Sequence, residues 1–220
     1  FETISCKNSE GEEGDSSQAQ VLTTKQILFE QVLNNKYIWL LAIAYFYVYV
    51  VRTAINDWTV LYLIQEKGYS NIAAGISIAW FEIGGLLGML AAGWGTDKFL
   101  KGRRVPFMIF CAVGMIFAVA GLNYLPPISI FFDYLLIGII GFLVFGPQML
   151  VGMVAAEAVD KKATCTAIGF VGCWAYIGAA ATGYPLGVII DKFWETYHLM
   201  LIACCVILTF ILVWLSIVVE

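Results

Sequence analysis

Arg52 is the residue through which chemistry enters this sequence. It lies inside an apolar run, with Tyr45 and Tyr49 before it and Asn56 and Thr59 after it. These positions fall at i, i+4, i+7, i+11 and i+14, so a helix places them on one face. That face carries a guanidinium fork, phenols, an amide and a hydroxyl, while the opposite face is Ile, Val and Leu. A guanidinium grips phosphate or carboxylate through two parallel hydrogen bonds, which an ammonium cannot reproduce. The chemistry on offer is anion binding. The alternative is a structural ion pair with Asp57 or Glu82, two carboxylates that also sit in apolar runs. Asp57 is five residues beyond Arg52 and points partly away from it on a helix, which favours a partner on another helix. Glu82, within WFEIGGLLG, suits a hydrogen bond to a neighbouring helix and an ion-coupling role equally well.

The elements that must hold these residues are membrane-spanning helices. Apolar residues make up 61% of the 220 and charged residues 13%, against about 45–50% and about 25% in an ordinary soluble domain. Mean hydropathy is +0.85. Six apolar segments, at about 37–64, 72–96, 104–124, 128–156, 163–190 and 197–219, each reach the roughly 20 residues that a helix needs to cross the hydrocarbon core. The fold class is therefore an all-α membrane protein of six helices over 36–220. Residues 1–22 are acidic and rich in Ser and Gly, which reads as a linker. Thr23 and Gln26 form a capping box for a short amphipathic helix ending near Asn34-Asn35, so 1–35 is the cytoplasmic lead. Lysine and arginine set the orientation. Nine of them fall with the N-terminal lead and the loops at 97–104 and 157–162, and only Lys67 and Lys192 fall on the other side. Both ends of the chain are thus expected in the cytoplasm.

Several function classes are excluded. A net charge of −4 provides no basic field for nucleic acid. The six cysteines show no CxxC pair or zinc spacing, and there is one histidine, His198, between hydrophobic segments. No metal site, cofactor or catalytic triad is expected, and no Walker motif appears. Because the chain starts at Phe1, it reads as a piece of a longer polypeptide, and six helices after an acidic linker suggest half of a twelve-helix transporter with its site between the halves.

Other signals surround the anion-binding face. Gly146-Pro147 interrupts the fourth segment, and Gln148 follows where it could face the cavity. Tyr176 stands among five glycines of the fifth segment, with Pro185 near its end. Those glycines suit tight helix packing or a helix that bends as access alternates. The loop GWGTDKFLKGRR carries Gly93, Asp97, Lys98, Gly102, Arg103 and Arg104 in order. Asp97 could meet a facing helix N-terminus, and the two arginines could anchor at an anionic membrane surface.

That ordered loop resembles the conserved-loop motif of the major facilitator superfamily. YVYVVRTAINDW, GPQMLVG and GFVGCWAYIGA resemble the organophosphate:phosphate antiporter family, in its hexose-phosphate transporter and transporter-like sensor branch. The likeness spans nearly all of 23–219, in the order of the family's seventh to twelfth helices. It implies the C-terminal half of a twelve-helix fold and no enzymatic activity. It also implies alternating-access exchange of a sugar phosphate for inorganic phosphate in the inner (plasma) membrane, or sensing of external hexose phosphate for a partner kinase. By the same resemblance, Arg52 is one of two arginines that clamp the substrate phosphate, and Tyr49 and Tyr176 are site tyrosines. Asp57 and Glu82 bridge to basic residues of the N-terminal half. Phe145 stands where the glycerol-phosphate branch has a tyrosine, which argues against glycerol phosphate. The partners expected are sugar phosphate, inorganic phosphate, the lipid bilayer and the N-terminal six helices.

Overall fold

The computed structural model describes residues 27–100, 102–124, 129–190 and 194–219. The linker at 1–22, the capping box at Thr23 and Gln26, Lys101, the Pro126-Pro127 break and Lys192 lie outside the described residues. The helices are α1 (Lys36–Gln65), α2 (Asn71–Phe99), α3 (Val105–Tyr124), α4 (Ile130–Glu157), α5 (Thr164–Ala181), α6 (Tyr184–Ile190) and α7 (Trp194–Val219), and no strand occurs among the described residues. Six spans are long and apolar enough to cross a membrane: α1, α2, α3, α4, α5 continued into α6, and α7. This is a multi-pass membrane protein.

Local chemistry sets several helix starts. Asn35, Ser70 and Ser129 occupy N-cap positions in extended backbone, and their side-chain oxygens accept from the amides of Tyr37, Ala73 and Phe132. Each satisfies a donor that the first turn leaves open. Ahead of α1, where an ordinary amphipathic helix is expected, Ile27–Leu33 forms a wide turn with π-type bonding. Asn34 N reaches back five residues to Phe29 O at 3.1 Å. The wide turn buries Val32 in the core while Gln31 exchanges hydrogen bonds with the side chain and backbone amide of Asp160.

Packing follows the small residues. α2 and α4 lie backbone to backbone: a Cβ at Gly84 would overlap the carbonyl of Gly138, and one at Gly88 the carbonyl of Phe142. Close approach replaces hydrophobic drive as the source of association in lipid, where tails are as apolar as leucine. Leu41, Met108, Met115, Ile137, Ile140, Leu150 and Leu208 fill the interior, and Leu90, Phe117, Phe210 and Ile217 project outward. Apolar side chains on the outer surface suit a hydrocarbon solvent.

The fifth span, expected as one helix over 163–190, is broken between Ala181 and Tyr184. Thr182 turns its hydroxyl back to Ala179 O at 2.7 Å, and Trp58 of α1 donates its indole N–H to Thr182 O at 2.9 Å. Pro185 is the second residue of α6, where a missing amide proton costs little. The indole supplies a donor at a carbonyl that the break would otherwise leave unmet.

Candidate anion-binding face

Arg52 lies near the middle of the 30-residue α1 and is half-buried. Its guanidinium carbon is 4.7 Å from the centre of the Phe145 ring of α4 and 5.5 Å from that of Tyr49, one turn earlier. Among the described residues it makes no hydrogen bond and no ion pair. A cation at that depth costs at least about 2.5–3.5 kcal/mol to insert, and two aromatic faces return about 0.5–2 kcal/mol each. The guanidinium N–H groups keep their capacity for an oxyanion.

The phenols gather around it. The rings of Tyr45 and Tyr49 are 4.9 Å apart edge to face, and Tyr49 is 5.9 Å from Tyr176 of α5. Gln148 donates its amide to the Tyr49 hydroxyl at 3.5 Å, while its own Oε1 is buried with no partner. Tyr176 is 71% exposed. Three helices thus bring Tyr45, Tyr49, Arg52, Gln148 and Tyr176 together. Phe145 belongs to the same group but is only 5% exposed, so it meets the site through the guanidinium. Thr59 leaves the face: it is buried. Asn56 turns to Asp57 and donates to its carboxylate at 2.9 Å.

Asp57 and Glu82 are both exposed, and neither pairs with Arg52. The alternative of an ion pair inside the six helices is therefore not realised among the described residues. Both carboxylates stand at the surface.

At the end of the bundle that carries the basic loop, Gly102 adopts φ +81°, a conformation that disfavours side chains. Its amide closes onto Thr96 O at 3.0 Å, and Arg103 N onto Leu100 O at 2.9 Å. Arg104 reaches Glu157 of α4 at 2.6 Å and the Met153 sulfur at 2.7 Å. Lys98 lies 4.6 Å from the Trp94 ring centre. A Cβ added at Gly93 would sit 3.5 Å from the Met149 methyl, an ordinary van der Waals contact, so no close approach requires glycine there. Asp97 is exposed and has no partner among the described residues. Arg104 thus ties the loop to α4.

The sequence reading missed the cluster at the opposite end. Lys67 pairs with Asp133 at 2.6 Å, and Tyr69 donates to the other carboxylate oxygen at 2.6 Å. The Lys67 and Asp133 side chains are only 5% and 4% exposed, although Lys67 reads as a loop charge. Burial and the bond to Asp133 together hold the Tyr69 phenol above its ordinary range. His198, expected between segments, lies inside α7 fully buried, with Nδ1 3.2 Å from Trp194 O and its ring 4.6 Å from that of Tyr62. The available signal was Asp133 in the first turn after the Ser129 cap, where a carboxylate meets the positive helix end.

Comparison with known proteins decides the family. The profile of the Major Facilitator Superfamily matches residues 7–182. The chain belongs to the major facilitator superfamily. That family consists of transporters rather than enzymes, and the six helices fit one half of its fold. The chain is 48% identical over 188 residues to a "Probable hexose phosphate transport protein" of Chlamydia muridarum, covering 84% of this chain and 41% of that protein. It is 44% identical over 181 residues to "Membrane sensor protein UhpC" of Escherichia coli (82% and 41%). It is 38% identical over 188 residues to the "Hexose-6-phosphate:phosphate antiporter" of Salmonella typhimurium (82% and 38%). These names match the organophosphate:phosphate antiporter branch. The chain spans about two fifths of the length of these relatives.

Proposed function

We propose that this chain forms the C-terminal half of an antiporter that exchanges a sugar phosphate, hexose 6-phosphate, for inorganic phosphate by alternating access. The observation that carries the reading is Arg52: a mid-span guanidinium with aromatic faces beside it and no carboxylate bound to it among the described residues. A phosphoryl group entering from water supplies the oxyanion that the protein withholds. Tyr49, Tyr45 and Tyr176 offer hydroxyls, and Gln148 an amide, to the phosphate and sugar oxygens. Asn56, one turn after Arg52, spends its amide on Asp57. A second arginine, from the N-terminal six helices, completes the clamp. With the site empty, two facing cations resist closure; with phosphate bound, their charge is offset and the halves rock together. Asp57 and Glu82 reach across to basic residues of the N-terminal half. Residues 1–35 link the halves and 36–220 form the C-terminal bundle. The basic loop end faces the cytoplasm of the plasma (inner) membrane, as the distribution of lysine and arginine favours.

The second reading is a membrane sensor that binds hexose phosphate in the same cavity and signals to a kinase. The 44% identity to the protein named a membrane sensor favours it, as does the absence of charge along the fifth span from Gly169 to Gly187. One experiment separates the two. The complete polypeptide is reconstituted in vesicles loaded with inorganic phosphate and offered labelled glucose 6-phosphate. Uptake that requires internal phosphate supports the antiporter; saturable binding with no uptake supports the sensor; neither binding nor uptake rejects both.

A further inference from the structure

Phe145 and Gly85 have a joint consequence for Arg52. Phe145 precedes the Gly146-Pro147 step of α4, and its ring is enclosed: 5% of the residue is exposed, and Phe81 packs edge to face on it at 5.5 Å. One neighbour of that ring is the guanidinium of Arg52, at 4.7 Å. Another is the bare backbone of Gly85 on α2. A Cβ there would stand 2.6 Å from Cδ2 of Phe145, 2.8 Å from Cγ and 2.9 Å from Cε2. Cγ is the root of the ring, so the clash cannot be relieved by moving a flexible tip. The whole ring would have to turn, with Phe81 in its way. A retreat of Gly85 would pull α2 off the backbone contacts it makes with α4 at Gly84 and Gly88.

We propose that Gly85 and Phe145 form a positioning unit that aims the Arg52 guanidinium. Gly85 provides the space, the Phe145 ring fills it, and the ring face fixes one side of the guanidinium so that its N–H groups point to the remaining, open side. Phe145 thus does not touch substrate. Holding the fork in advance reduces the ordering that phosphate binding must otherwise impose. The hydrocarbon ring brings no competing acceptor, so the oxyanion is the one strong acceptor offered to the fork. This inference rests on the proposed anion site and concerns how that site is aimed.

The test is a mutant cycle on the complete polypeptide in lipid nanodiscs, read by equilibrium binding of labelled inorganic phosphate, with thermal unfolding as the check on folding. Gly85→Ala is expected to weaken phosphate binding about tenfold, in line with the loss of a desolvated cation–ring contact. Phe145→Leu is expected to do the same. Gly85→Ala placed on top of Phe145→Leu is expected to add nothing, because the smaller side chain vacates the space. Equal losses from Gly85→Ala in both backgrounds, or no loss in either, would overturn the proposal. If Gly85→Ala does not fold, Phe145→Tyr against Phe145→Leu decides: the ring-bearing variant should bind phosphate more tightly than the leucine variant, and equal binding by both overturns the inference. Arg52→Lys separates the two levels. Undiminished binding by that variant sinks the site itself, whereas loss there with no effect at Gly85 or Phe145 sinks only the positioning unit.

Discussion

Lys67 and Arg52 are both cations of α1 and the turn that follows it, and their surroundings are opposite. Lys67 is almost fully enclosed, with Asp133 on it at 2.6 Å and Tyr69 on the carboxylate's other oxygen. Arg52 is half-buried, with the Tyr49 and Phe145 ring faces beside it and no hydrogen bond or ion pair among the described residues. The first charge is satisfied by groups that the six helices bring themselves, and it ties the α1–α2 turn to the start of α4. The second is left available to an acceptor from outside the bundle. Charge placed in a membrane protein is thus diagnostic only together with its partners: one cation closes the fold, and the other is the one we propose meets a ligand.

Breaking the two sites should therefore damage different properties. The largest effect on stability is expected from Asp133→Ala, which strands Lys67 in a dry site. Such a loss costs about 3–5 kcal/mol, read as a fall in the thermal unfolding transition in micelles. Arg52→Gln should change stability by less than about 1 kcal/mol, because the two cation–ring contacts are lost together with the cost of inserting the charge, yet remove phosphate binding. Replacing the enclosed pair together, Lys67→Met with Asp133→Leu, should recover most of the stability lost in Asp133→Ala, since an apolar pair of similar volume is often neutral.

Tyr69→Phe sharpens the same comparison. It should cost about 1.5–3 kcal/mol, the worth of one hydrogen bond to a charged acceptor. Because the folded state raises the phenol's pKa, its contribution is complete below the ordinary value of about 10 and is lost only as pH climbs through the folded value. The stability difference between parent and variant should be flat from about pH 6 to about pH 9 and shrink above about pH 10. A smaller cost, about 1 kcal/mol, is expected for Trp58→Phe, which leaves the Thr182 carbonyl at the α5–α6 break without its donor. The smallest effect should come from Glu157→Gln. Its carboxylate is 57% exposed, so the pair with Arg104 should contribute less than about 1 kcal/mol and weaken with salt.

The spans were legible because hydrocarbon demands long apolar helices, and no other reading of the runs around Arg52 or through α7 satisfies the backbone. The face bearing Tyr45, Tyr49 and Arg52 was legible because helical periodicity fixes it within one element. What escaped were facts that depend on two elements at once. Thr59 shares the period of that face, yet α1 turns it into the bundle. Phe145 carries no polar atom, so only its distance to Arg52 reveals its part in the site. Lys67 looks like a loop charge until Asp133 is brought beside it from 66 residues away. The break at Thr182 is invisible without Trp58, because glycine and proline near it suit a packed helix and a bent one alike.

The central claim is that the Arg52 fork is the anion site of this half of the transporter. The most direct measurement is equilibrium binding of labelled inorganic phosphate to the complete polypeptide and to its Arg52→Lys variant, both in nanodiscs and both with intact unfolding transitions. Lysine keeps the charge but not the two parallel donors, so the account predicts a loss of about a hundredfold in affinity. Binding by Arg52→Lys equal to that of the parent would contradict it.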